Sequence, residues 1–180
     1  MADEATRAST PDEHKATAPT TLGCWVLTIS DTKTVESDTS GALIRERLAA
    51  AGHRVVGSGI VRDEPVDVQR IIRQAAADPA VQIIIMTGGT GVTSRDSTYE
   101  AVDAMLDKRL PGFGELFRML SWEDVGSAAW LSRAAAGIAA GKLLVILPGS
   151  PAAVRLAVDR LLVPELAHAA RLLGRLEREE

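Results

Sequence analysis

The sequence predicts an α/β fold: a three-layer sandwich in which helices cover both faces of a mostly parallel central sheet. Three observations predict it. Short apolar runs of strand length alternate with stretches of helical periodicity from Cys24 onward. The run from Ile83 to Met86 has no polar interruption, as a strand covered on both sides requires. At 180 residues and 46% hydrophobic content, the chain is long enough for one domain with a substantial core.

Residues 1–21 mix Ala, Thr, Pro and charge without an apolar period and are expected to form a disordered tail. The domain is expected over 22–176, with a short disordered charged end over 177–180. "CWVLTIS" reads as the first strand. Ser40 to Ala51 reads as a helix with Ile44, Leu48 and Ala51 on one face and Gly52 as its terminator. "RVVGSGIV" is a second strand. Beyond Pro65, which a first helical turn tolerates, Val68, Ile71, Ile72 and Ala75 recur at helical spacing. The third strand starts at Ile83, and after its glycines Ser97 and Glu100 stand at capping-box spacing ahead of Ala101, Val102 and Met105.

The stretch 110–137 holds both phenylalanines and two of the three tryptophans of an aromatic-poor chain. It reads either as an excursion that forms a subunit interface, where large aromatics are enriched, or as a satellite core over the sheet edge. The last strand, "KLLVILPGSP", ends in a Pro-Gly turn. A helix with Val154, Ala157, Val158 and Leu161 on one stripe follows it, and a further helix is expected from about Pro164 to Leu176.

Composition removes several function classes. A net charge of −4 with interspersed signs gives no basic stripe for nucleic acid. The single cysteine, Cys24, rules out an internal disulfide framework. His14, His53 and His168 are too scattered for a zinc site or a serine-histidine-acid set. Neither an apolar run of about 18 residues nor an apolar signal core is present, so no membrane span is expected and the cytoplasm is the expected compartment.

In a parallel sheet, ligands collect at the carboxyl ends of strands. Four segments fall there: Ser30–Thr32, Arg62–Pro65, Thr87–Gly91 and Pro148–Pro151. They are expected to form one pocket. Gly88, Gly89 and Gly91 between a strand and a helix start suit an anion such as phosphate, although the same letters also serve as a tight structural connection. No Lys-Ser/Thr follows the glycines as in a P-loop, and the dinucleotide spacing is absent. Asp63 could be an ordinary helix N-cap, and Asp96 could complement a helix dipole. Arg95 and Arg133 either face phosphates or, for Arg133, pair with an acidic neighbour. Ser132 either contacts a ligand or caps a helix.

Four ordered blocks, "TGGTGVTSRDSTYEA", "PGFGELFRMLS", "LSRAAAG" and "LPGSPAAVRLA", resemble the MoaB/Mog family of molybdopterin-adenylating proteins over nearly all of Cys24 to Leu173. "GFGELFRMLS" and the early "SDT…DTSG" are more similar to the MoaB branch than to Mog or the related domain of gephyrin. The resemblance implies a domain that assembles as trimers or hexamers. It implies transfer of AMP from Mg-ATP to the terminal phosphate of molybdopterin with release of pyrophosphate, and a hand-over of the product to a molybdenum insertion protein. It implies that Asp63 and Asp96 serve Mg²⁺ and the catalytic step. The substrate pocket it implies is lined by Ser30, Asp31, Thr87, Gly88, Gly89, Thr90, Gly91, Ser132, Arg133, Pro148, Gly149 and Ser150. Magnesium held by one or two carboxylates plus substrate phosphates agrees with that pair of aspartates. Where many relatives carry Val then Pro around the threonine after Arg-Asp, this chain has Ser97 and Tyr99 around Thr98. The alternatives are a non-catalytic molybdopterin carrier and, from another class, a nucleotide or phosphate sensor on the same architecture.

Overall fold

A computed structural model describes residues 21–93 and 97–176. Residues 1–20 of the expected N-terminal tail, the charged C-terminal end, Arg95 and Asp96 lie outside the described residues. Six strands form one sheet in the order β2-β1-β3-β6-β5-β4. They are β1 (Gly23–Ile29), β2 (Arg54–Val61), β3 (Ile83–Gly88), β4 (Lys108–Arg109), β5 (Ala135–Ala139) and β6 (Lys142–Leu147). The β2-β1-β3-β6 portion is parallel, and β5 and β4 add antiparallel at one edge.

β3 is central because its side chains demand it. Ile83, Ile84, Ile85 and Met86 are fully buried, and each such side chain is worth about 1.5–3 kcal/mol in transfer from water. Since successive residues point to opposite faces, the strand feeds two cores. One face carries Ile83 and Ile85 against α1 (Thr39–Ala50), α4 (Pro111–Val125), α5 (Pro151–Ala157) and α6 (Val163–Leu176). The other carries Ile84 and Met86 against α2 (Pro65–Ala76) and α3 (Thr98–Asp103). This is the expected three-layer sandwich.

The antiparallel edge was not legible as strand, and β5, "AAGIA", explains why: Ala and Gly are poor strand formers, held here by pairing to β6. The expected capping box at Ser97 is also corrected. Ser97 precedes α3 but makes no side-chain capping bond, and its φ −109°, ψ −2° is not the extended conformation from which a cap reaches the helix amides. The two expected C-terminal helices join through a π turn, Val158–Leu162. Pro164 accounts for it, because a proline there lacks an N–H and crowds the carbonyl four residues back, which a wider turn relieves.

The aromatic-rich stretch divides between both readings. Phe117 is buried in the first core with Phe113 stacked on it at 6.5 Å. Trp122 and Trp130 are 60% and 72% exposed.

Candidate functional site

β1, β2, β3 and β6 run parallel, so their carboxyl ends deliver the four expected segments to one rim. Ser30 follows β1 and its amide donates to the Val61 carbonyl at 2.8 Å. Asp31 accepts from the Asp63 amide and from Arg62 Nε, each at 3.4 Å. Thr87, at the end of β3, donates from its hydroxyl to the Pro148 carbonyl at 3.0 Å. The Gly149 β-position lies 3.6 Å from the Gly88 Cα. The segments therefore meet pairwise around the end of β3.

Gly88 and Gly89 take φ +97° and +64°, conformations that favour glycine. Their turn lets Asp63 come close: its Oδ1 sits 3.4 Å from where a β-carbon on Gly89 would lie. That oxygen is buried and has no hydrogen-bond partner among the described residues. Thr98, whose methyl approaches the same point to 3.1 Å, carries a second buried hydroxyl with no partner among the described residues. Asp63 is not the cap of α2, since Glu64 holds the N-cap position and no side chain caps it. Buried polar atoms are normally paired, so two unpaired oxygens flanking one glycine mark a place for a ligand that brings donors or positive charge.

Two cavities open beside the Pro148–Ser150 turn. The smaller, about 80 Å³, is walled by Ser30, Lys33, Asp38, Thr87, Gly88 and Gly149 among others. The larger, about 190 Å³, lies between α4 and α5 and is lined by Phe117, Ser121, Ser132, Pro148 and Ser150 among others. Ser132 accepts from the Ala134 amide at 3.3 Å while lining that cavity. Ser150 caps α5, accepting from the Ala153 amide at 3.2 Å.

Arg133 turns toward the glycine loop. It bonds the Thr90 carbonyl at 3.1 Å, the Gly91 carbonyl and the Glu100 carboxylate. Its guanidinium lies over the Tyr99 ring at 4.5 Å. Burial, then the nearby Asp103 carboxylate, raise the Tyr99 phenol above its ordinary range.

The structure adds three residues that the sequence did not single out. Asp38 is buried, accepts from Thr28 Oγ1 and from the Gly41 amide at 2.9 Å each, and caps α1. Ser40 donates to the Gly149 carbonyl at 2.8 Å, tying α1 to the Pro-Gly turn. Lys33 lends the smaller cavity a positive charge. The quoted phrase "DTSG" contains two of them, but no spacing rule reports a bond between residues 40 and 149. His53 is buried beside the start of β2, and His168 pairs with Glu165 at 3.1 Å. Burial pushes the Cys24 thiol up to about 12, so it is no thiolate nucleophile. Among the described residues no helix is long and apolar enough to cross a membrane.

Comparison with known proteins places this fold in a family. A family model described as a probable molybdopterin binding domain matches residues 25–168. Molybdenum cofactor biosynthesis protein B of Halalkalibacterium halodurans is 51% identical over 161 residues, spanning 89% of this chain and 95% of that protein. A crystal structure of a molybdenum cofactor biosynthesis protein B superposes with a TM-score of 0.85 at 47% identity, covering 88% of this chain and 99% of the other. The tungsten cofactor synthesizing protein MoaB from Pyrococcus furiosus superposes with a TM-score of 0.78 at 36% identity, covering 87% and 99%. On the matched residues, the shared sequence and the common fold, the chain belongs to the MoaB/Mog family of molybdopterin-binding domains.

Proposed function

We propose that this protein acts in molybdenum cofactor biosynthesis by adenylylating molybdopterin with Mg-ATP. The observation that carries this reading is the buried Oδ1 of Asp63, which lies against Gly89 and has no hydrogen-bond partner among the described residues. A carboxylate oxygen of that kind suits a hard cation held by one or two carboxylates and substrate phosphates. Asp63 would hold Mg²⁺, with Asp96 as its expected second carboxylate. The bound ion would neutralise phosphate charge and act as a Lewis acid.

The reaction joins a terminal phosphate oxygen of the pterin to the α-phosphorus of ATP and breaks the bond from that phosphorus to the oxygen bridging the β-phosphate. Pyrophosphate leaves. The attacking phosphate is already a dianion, so no general base has to remove a proton. Two anions must instead be held together against repulsion, which makes positioning and positive electrostatics the main demands on the chain. The Gly88–Gly91 turn supplies backbone amides, Lys33 supplies charge in the smaller cavity, and Ser30, Asp31 and Thr87 fix the walls. The larger, partly apolar cavity at Ser132, Pro148 and Ser150 suits the flat pterin.

We further propose a homo-oligomer, trimeric or hexameric. Supporting it, Met119, Trp122 and Trp130 are 60–72% exposed within one stretch of chain.

Incubation with molybdopterin, Mg²⁺ and ATP labelled at the α-phosphate should move the label onto the pterin and release pyrophosphate. Tight pterin binding without affinity for Mg-ATP would replace the enzyme by a carrier. Affinity for a nucleotide without any for pterin would point to a sensor.

A further inference from the structure

The guanidinium of Arg133 is engaged by the glycine loop. Its side chain is 20% exposed, and its nitrogens bond the carbonyls of Thr90 and Gly91 and the carboxylate of Glu100. Tyr99 lies under its plane. A planar fork of donors is the group that can bridge two carbonyls and a carboxylate at once, which a lysine ammonium on its flexible stem cannot reproduce.

The consequence lies on the other side of the loop. The described peptide bonds are trans, and across a trans peptide the carbonyl and the next residue's N–H point in opposite directions. Drawing the Thr90 and Gly91 carbonyls toward Arg133 therefore turns the N–H groups of Gly91 and Val92 away from it. Both residues are exposed, and neither amide donates to another described residue. Around a glycine a peptide plane flips easily, because both signs of φ are open to it. Left unanchored, the loop could present carbonyl oxygens to an anion as readily as N–H groups.

We propose that Arg133 is a positioning residue: it fixes the polarity of the peptides from Thr90 to Val92 so that their N–H groups, and not their carbonyls, meet the phosphates of the nucleotide. This rests on the reading of the site as one that handles phosphates. Arg133 then acts through the loop, with Glu100 and Tyr99 holding its guanidinium in place.

The test follows the amide resonances of Gly91 and Val92 in full-length, deuterated, ¹⁵N-labelled protein titrated with Mg-ATP and, separately, with magnesium tripolyphosphate. Both amide protons are expected to move downfield at saturation. In Arg133→Lys, which keeps the charge, these shifts should be lost and KM for ATP should rise about tenfold or more, with kcat changed by less than about threefold. Wild-type amides that stay still at millimolar tripolyphosphate would overturn the proposal. So would Arg133→Lys with unchanged KM, or a ligand-induced shift of the Arg133 side chain with none at Gly91 and Val92, which is the signature of direct contact. The resonance measurement needs no turnover. Amide shifts without adenylylated pterin keep the positioning role and remove the reaction; turnover with a silent Arg133→Lys does the reverse.

Discussion

The hydroxyl of Thr87 donates to the carbonyl of Pro148 across 3.0 Å, and that bond fastens the glycine turn after β3 to the Pro-Gly turn after β6. Thr87 is 1% exposed. Replacing it with the near-isosteric Val removes the donor and keeps the volume, so the Pro148 carbonyl loses this partner. Thr87→Val should lose about 1–3 kcal/mol of folding stability in urea denaturation and should weaken substrate binding, because both cavities border this turn. Unchanged stability would show that water takes the donor's place.

The two positive-φ glycines should differ sharply. A β-carbon on Gly88 would stand 2.1 Å from the Ile29 carbonyl oxygen, a backbone atom of β1 that cannot move without breaking the sheet. On Gly89 it would meet two methyl groups at 3.1 Å, which can yield. Gly89→Ala should therefore cost about 1–2 kcal/mol, the ordinary cost of the left-handed conformation, and Gly88→Ala distinctly more. Denaturation midpoints of the two variants check the order.

His53 sets a pH dependence. The residue is 9% exposed and Nδ1 has no partner among the described residues, and burial holds its pKa below the ordinary 6.5. The unfolded chain takes up a proton near 6.5 while the folded chain resists it, so the unfolded state binds more protons in that window. Stability should be full above about pH 6.5 and fall as pH drops below it toward the folded value. The thermal midpoint between about pH 7.5 and 5.5 should slope less in His53→Leu than in the wild type. Parallel curves would assign the slope to other groups.

Trp122 and Trp130, exposed on and just after α4, should report on assembly. Trp122→Glu is expected to shift sedimentation velocity from an oligomer toward the mass of one chain while the far-ultraviolet circular dichroism stays constant. A wild type that already sediments as a single chain would remove the proposed oligomer.

The sequence displayed most of the fold because the strands that matter are apolar runs, as at Ile83–Met86, and because β-strand ends followed by Gly or Pro announce their own turns. It hid β4 and β5, where two charged residues and an Ala-Gly run are held as strand by their neighbours alone. At the site, the segment Arg62–Pro65 and the glycine turn could be picked out because each falls at the carboxyl end of a strand, and Asp63 within that segment through the family resemblance. Ser40 and Lys33 could not, since Ser40 joins the Gly149 carbonyl from the first turn of α1 and Lys33 reaches the cavity wall from the segment between β1 and α1. The capping roles considered for Asp63 and Ser97 failed for a local reason: neither side chain bonds a helix amide, although each stands at a helix start.

The most direct measurement is adenylyl-molybdopterin formation by wild type and Asp63→Asn side by side, with the thermal midpoint of each. The Asn side chain keeps the size and removes the charge. Because Oδ1 of Asp63 is buried and has no partner among the described residues, the expected result is a folded variant with an equal or higher midpoint and product formation lower by about a hundredfold or more. Product at the wild-type rate from Asp63→Asn, or none from the wild type, would contradict the assignment of this pocket to metal-assisted adenylyl transfer.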